Sequence, residues 1–157
     1  MPSPSNSQIP VVPLQIKFLF HDNLFAVEVC QNGVTKLLTD SLGNEWTPLY
    51  LSMVETTPEI GENAKRSYQN FPKHVIYDVL KIIGKPMNQI KNDPKWGFEL
   101  IETDGNLYFQ IQTLSGARRL SQEIVVAAFL KSMKLRTETI WNASIAEIII
   151  YANLELN

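Results

Sequence analysis

The chain has 157 residues, 45% of them apolar and 19% charged, with a formal net charge of −2. That is one domain's length with enough apolar material for a core, which excludes wholesale disorder; the lack of a basic block argues against nucleic acid or an anionic membrane surface as partner. The single cysteine, Cys30, excludes an internal disulfide and fits a reducing intracellular compartment, cytoplasmic or nuclear.

Residues 1–15 are proline-rich and lack the basic and apolar regions of a secretory signal, so they read as a flexible leader. No run approaches the ~20 apolar residues that span a bilayer. Phe18 to Phe20 and Phe25 to Cys30 are apolar and β-branched, as in strands buried on both faces. Gln31-Asn32-Gly33 supplies a tight turn, because Asn and Gly tolerate positive φ. Val34 to Thr39 returns as the partner strand. Asp40 to Asn44 makes a second turn, and Trp46 to Met53 is expected as a third strand of an antiparallel meander, with Pro48 placing it at an edge.

Glu55 to Glu59 is a polar connector. Gly61 to Asn70 has helical composition and Pro72 stops it. Val75 to Ile83 is expected as a second short helix, with Ile76, Val79, Leu80 and Ile83 on its apolar side. Met87 to Trp96 reads as a loop with one helical turn. Phe98 to Glu102 and Leu107 to Gln112 flank Thr103-Asp104-Gly105-Asn106, a strong hairpin signal, and Ala117 to Leu120 adds a short strand. Ser121 caps the longest helix, Gln122 to about Glu138, with Ile124, Val125, Ala128, Phe129 and Met133 as its buried stripe. Ile145 to Tyr151 closes the chain as an apolar strand, expected to be central and buried on both faces.

Three groups of residues carry a resemblance. The first is Gln31-Asn32-Gly33, Gly43-Asn44 and Thr47-Pro48. The second is Ile60 to Lys65 with Pro72, and the third is Asp78 with Ile82-Ile83-Gly84. In order and spacing this set resembles the start of the ATPase domain of the DnaK-type, 70 kDa heat-shock chaperones. The resemblance covers roughly Phe18 to Asn153. It implies an α/β fold with a mixed sheet: half of an actin-like, ribonuclease H-like ATPase domain, carrying a small α+β subdomain inserted at about residues 52–119 within a single lobe at 16–157.

The same resemblance locates a phosphate loop and finds it altered. Where the family has Asp, Gly and two threonines, this chain has Leu19, His21, Asp22 and Asn23. A Leu cannot hold metal-bound water, a His places a ring where backbone should approach phosphate, and Asp22 repels a triphosphate. The family's water-positioning Lys falls at Leu80. Neighbouring Lys81 points about 100° away on a helix and does not substitute. No catalytic residue and no cofactor are therefore expected, and ATP hydrolysis is not expected of the chain.

The remaining constellations are weaker. His21 with Asp22 has no nucleophile at recognisable spacing. His21, His74 and Cys30 are too scattered for zinc, so no metal is expected. Asn142-Ala143-Ser144 matches a glycosylation pattern by chance. Arg118, Arg119, Lys131 and Lys134 read as solvated surface. Trp46 replaces a small residue beside the family's nucleotide face; it is either a core or rim aromatic or an anchor for a partner.

The expected function is a non-catalytic protein-interaction module, with Trp46, His21, Asp22 and Asn23 as its contact surface. Its partner would be a co-chaperone or a second copy of the chain. The alternative is a residual nucleotide binder, or a regulator of true chaperones acting through their co-chaperones. A gene product with no stable role is a third reading.

Overall fold

The first two apolar runs become two strands with one buried face rather than doubly buried ribbons. In the computed structural model, which describes residues 15–141 and 149–153, β1 is Gln15–His21 and β2 is Leu24–Gln31. They pair antiparallel across the two-residue turn Asp22-Asn23, with His21 opposite Leu24 and Phe18 opposite Val27. Alternate side chains leave a pleated strand on opposite faces. Ile16, Phe18, Phe25, Val27 and Val29 are buried on one face. On the other, Lys17, Leu19, Glu28 and Cys30 keep partial exposure, and Ala26 is fully buried. Because Gln15 already belongs to β1, the expected leader ends one residue too late; residues 1–14 lie outside the described region.

The turn after β2 is as expected. Asn32 and Gly33 take φ of 53° and 77°, the paired positive values of the hairpin turn that matches strand twist. β3, Val34–Leu38, pairs with β2 from Gln31 back to Val27. The expected meander then fails. β4 is only Thr47–Pro48, and it pairs with Leu24 and Phe25 of β2, not with β3. β3 and β4 thus lie end to end along the same edge of β2. The Asp40–Asn44 stretch is an excursion between them, not a reversal. One carboxylate closes that excursion: Asp40 accepts the N–H groups of Leu42 and Asn44 at 2.9 Å each and the Thr47 hydroxyl at 2.9 Å. Local side-chain bonds of this kind compete with a strand ladder.

The rest of the expected third strand joins a second, small sheet. β5, Leu51–Ser52, lies between β6, Glu59–Ile60, and β7, Val75–Ile76. Between β6 and β7 sits α1, Glu62–Asn70. Val75 to Ile83 is not the helix that its apolar spacing suggests. Val75 and Ile76 pair with β5, and Asp78 takes left-handed φ 58°. Residues 79–81 form one tight 3-10 turn. The β-branched pair favours extension, and the left-handed residue prevents a helix from starting before it.

The third sheet is β8, Glu99–Thr103, then β9, Asn106–Thr113, then β10, Gly116–Ser121, with β9 central. Its first turn, Asp104-Gly105, again has two positive φ values, 52° and 77°. Ser121 Oγ accepts the N–H of Ile124 at 3.2 Å and caps α2, Gln122–Trp141. Of its expected stripe, Val125, Phe129 and Met133 are buried and Ala128 partly so, whereas Ile124 is 56% exposed. The inward row continues at four-residue steps to Thr137. α2 packs on β2 of the first sheet and on β9 and β10 of the third. The Phe129 ring meets Phe25 at 6.5 Å.

β11, Ile149–Asn153, runs parallel to β1, with Phe18 opposite Ile150. Among the described residues it ends the order β11-β1-β2-β3 instead of lying at its centre. Ile145 to Ile148, the first part of the expected strand, and Asn142 to Ser144 lie outside the described residues. No helix among the described residues is long and apolar enough to cross a membrane.

Phe129 is 2% exposed and is the point where α2 meets the first sheet. Phe129→Ala should cost about 3–5 kcal/mol, the usual range for emptying a buried aromatic position. The measurement is equilibrium denaturation, and a loss under about 1 kcal/mol would show that α2 does not carry the core.

Candidate functional site at the first turn

The Asp22-Asn23 turn joins β1 to β2 and is held from below. The Asn23 carbonyl accepts the Leu49 N–H at 2.6 Å, so β4 and its continuation brace the turn's backbone. The Asn23 side chain reaches across the fold to Asp78, 55 residues away. Its Oδ1 accepts the Asp78 N–H at 2.9 Å, and its Nδ2 donates to Asp78 Oδ1. The other carboxylate oxygen, Oδ2, accepts the indole N–H of Trp96 at 2.8 Å. The Lys81 ammonium lies 3.6 Å from Oδ1. Asp78 itself is 5% exposed. A buried carboxylate with both oxygens engaged by three donors, one of them a cation, is a satisfied charge rather than an orphan.

An aromatic chain surrounds this network. Tyr50 stacks on Tyr77 at 4.8 Å, Tyr68 meets Tyr77 edge-on at 5.4 Å, and Trp96 stacks on Phe98 at 5.0 Å. The Tyr68 hydroxyl donates to the Lys95 carbonyl. Burial first, then the Asp78 charge and Tyr68, pushes the Tyr50 hydroxyl above its ordinary pKa. Tyr77 rises further, again chiefly through burial, with Tyr68, Asp78 and Tyr50 adding to it. Both phenols stay protonated at neutral pH, so neither supplies a base.

The remaining turn residues face solvent. His21 Nε2 lies 3.2 Å from Asp22 Oδ2, with side chains 55% and 75% exposed. Leu19 is a strand residue opposite Ala26 and Tyr151. Thr47 pairs with Phe25 and Pro48 with Leu24; Trp46 directly precedes this two-residue strand and lies outside its ladder. Trp46 is 37% exposed and Leu24 36%. Leu80, the position of the family's water-positioning Lys, is partly buried and packs against the core, and Lys81 is turned to Asp78. No trio of His, Cys, Asp or Glu side chains converges among the described residues.

A second polar centre lies on the α2 face. Arg136 sits over the Phe25 ring at 5.1 Å and donates through Nη2 to the Thr47 hydroxyl at 3.1 Å, which in turn donates to Asp40. Burial lowers the guanidinium pKa, partly offset by the Asp40 charge. A cavity of about 500 Å3 opens beside it, lined by Leu42, Leu135 and Ile140 among others.

The arrangement so far is a mixed sheet whose first hairpin turn faces a smaller sheet and a three-stranded sheet. A family model described as "Hsp70 protein" matches residues 22–152, most of the chain. The chain belongs to the Hsp70 family. It is 26% identical over 102 residues to a ribosome-associated molecular chaperone of Saccharomyces cerevisiae, a match covering 63% of this chain and 17% of that protein. It is 25% identical over 111 residues to a heat shock protein of Pyricularia oryzae, covering 69% of this chain and 18% of that protein. The chain therefore spans less than a fifth of the length of these relatives. Its fold is the mixed α/β half-domain of the Hsp70 actin-like ATPase.

Within that Hsp70 frame, Leu19, His21, Asp22 and Asn23 occupy one strand end and its turn, and Leu80 lies on the 3-10 turn that follows Asp78, partly buried against the core. Sequence reasoning used Asp78 only as a spacing landmark and passed over Trp96 and Arg136. Asp78 lay inside a segment read as helix, and Trp96 inside a stretch read as loop. A polar residue directly before an apolar run, with a Trp at a loop's end, was the one available signal.

Asn23→Ala should remove two bonds to Asp78 at once and leave its N–H and one carboxylate oxygen short of a partner. The expected loss is about 2–4 kcal/mol, from a bond to a charged group plus an unsatisfied buried donor. Chemical denaturation checks it; a change within about 0.5 kcal/mol would mean that the network does not hold the turn.

Proposed function

We propose that this Hsp70-family chain is a non-catalytic protein-interaction module, and that it acts in an intracellular compartment. The single observation that carries the reading is the chemistry of the first turn. Leu19 offers no metal ligand, His21 carries an imidazole where the resemblance implies Gly, and Asp22 holds an exposed negative charge. The only amide side chain of the turn, Asn23, is engaged by Asp78. A turn that would bind phosphate needs open backbone donors and positive or neutral surroundings. Here the exposed Asp22 carboxylate makes the surroundings negative and the Asn23 side chain is held by Asp78. The family's ATPase activity is thus not assigned to the chain.

What the same end of the sheet does offer is apolar area with a polar rim. Trp46 and Leu24 are large and partly exposed; Leu24 is paired with His21, and Trp46 precedes the strand that pairs with Leu24. Tryptophan is favoured at interface centres because it offers a broad apolar face and one donor. The partner contact is assigned to Trp46, His21 and Asp22, with Asn23 fixing the turn from behind. The partner is a second copy of the chain or a co-chaperone. The likeness to a relative named as a ribosome-associated chaperone favours a partner from the chaperone system.

Calorimetric titration with magnesium ATP or ADP should give no saturable heat at millimolar nucleotide. A dissociation constant below about 100 μM, near −5.5 kcal/mol, would overturn the non-catalytic reading. Leu19→Asp with His21→Gly and Asp22→Thr is expected not to restore hydrolysis, because Asn23 stays tied to Asp78.

Trp46→Ala should weaken association by roughly 2 kcal/mol or more, read as sedimentation of the chain alone and with purified co-chaperones. Its melting temperature should fall only slightly. A large stability loss with association intact would return Trp46 to the core.

A further inference from the structure

The donors that meet at Asp78 come from the β1–β2 turn, from the loop before β8 and from Asp78's own 3-10 turn at residues 79–81. They are an amide, an indole and an ammonium. Together they surround one carboxylate and satisfy both of its oxygens. Taken without that carboxylate, the same three groups are an oxyanion pocket: two neutral donors, one cation, and an apolar aromatic wall formed by Trp96 on Phe98. The carboxylate enters it because Asp78 holds left-handed φ 58°, a conformation that Asp tolerates and most residues do not.

We propose that Asp78 is a built-in occupant of this pocket: its carboxylate fills an oxyanion site made by Asn23, Trp96 and Lys81 and so closes the first turn to outside carboxylates and phosphates. This goes beyond the loss of nucleotide binding, since it names the group that occupies the turn's donors and the ligand class that would replace it. The Asp78 N–H also bonds back to Asn23 Oδ1, which sets the amide so that its Nδ2 faces the carboxylate.

The test is to empty the pocket and refill it. In the full chain, Asp78→Ala should lower the melting temperature and deprotect the Trp96 indole N–H, read by proton–nitrogen correlation spectra and hydrogen exchange. Sodium formate should then bind the emptied site. At roughly 50 mM it should restore about half or more of the lost melting temperature by favouring the folded state. It should also restore protection of the Trp96 indole. Sodium chloride at equal ionic strength should do neither, and the unaltered chain should respond to neither salt. Inorganic phosphate is the second probe; stabilisation by phosphate but not formate would place the site's preference with the larger anion and still support the pocket.

If formate and phosphate act no better than chloride, the donors do not form an anion site and the proposal fails. If Asp78→Ala does not fold, Asp78→Asn keeps the volume and removes the charge. Its carboxamide must then turn an N–H toward one of the three donors. The Trp96 indole signal should shift and exchange faster; an unchanged signal would overturn the proposal equally. Formate binding does not depend on whether nucleotide binds, so this proposal and the functional reading fail separately.

Discussion

The fold depends on a carboxylate held out of water. Asp78 is the point at which the first hairpin, the small sheet and the third sheet are tied together, because its partners come from the first turn and from the loop that leads into β8. Removing a charge from water costs several kcal/mol unless hydrogen bonds and a counter-charge replace the solvent. Here the Asn23 amide, the Trp96 indole and the Lys81 ammonium do so. The consequence is geometric. A satisfied buried carboxylate tolerates little displacement of its donors, so the Asp22-Asn23 turn is fixed relative to residues 78 and 96.

A second tie works on the opposite face of the first sheet. Phe25 is enclosed by Phe129 on one side and by the Arg136 guanidinium on another. Arg136 holds Thr47, and Thr47 holds Asp40, which closes the excursion between β3 and β4. One aromatic position on β2 thus determines where α2 crosses, and one arginine on α2 determines where β4 begins. This coupling accounts for the short β4. Its residues are positioned by side-chain bonds from both directions, and the ladder needs only two residues to bring Asn23 and Leu49 together.

These two ties explain which parts of the fold were legible in the sequence. The Asn32-Gly33 and Asp104-Gly105 turns were, because positive φ is a local demand that few residues meet. The long helix was, because Ser121 caps it and Val125, Phe129 and Met133 recur at four-residue steps. Ile124 was misplaced, since a stripe inferred from spacing cannot tell the inward row from the one beside it. The meander and the helix at Val75 to Ile83 were misread for a single reason. At Asp40 and at Asp78 a side chain overrides the local pattern through partners that are not in the pattern. Thr47 is seven residues from Asp40, but Asn23 is 55 residues from Asp78, beyond the reach of any spacing rule. Resemblance placed Leu19, His21, Asp22 and Asn23 at one strand end, yet it could not reveal that Asn23 had acquired a partner.

The two ties also divide the first sheet into a face that is structurally committed and a face that is not. On the α2 face the large side chains of β1 and β2 are packed, and Arg136, Thr47 and Asp40 bond in a chain there. On the opposite face the side chains near the turn are Leu19, His21 and Leu24, with Asp22 at the tip. Such a set holds no nucleophile with an adjacent base, and its phenol neighbours remain protonated. Group transfer needs donors and acceptors free to meet a substrate; here the donors nearest the turn already hold Asp78. Recognition needs a rigid apolar surface with a few charges at its edge. A turn braced from behind by a buried carboxylate and carrying an exposed imidazole–carboxylate pair is the basis of the recognition role proposed above. The bonds from Asn23 to Asp78 and from Leu49 to the Asn23 carbonyl hold the turn in place, as the proposed contact surface requires.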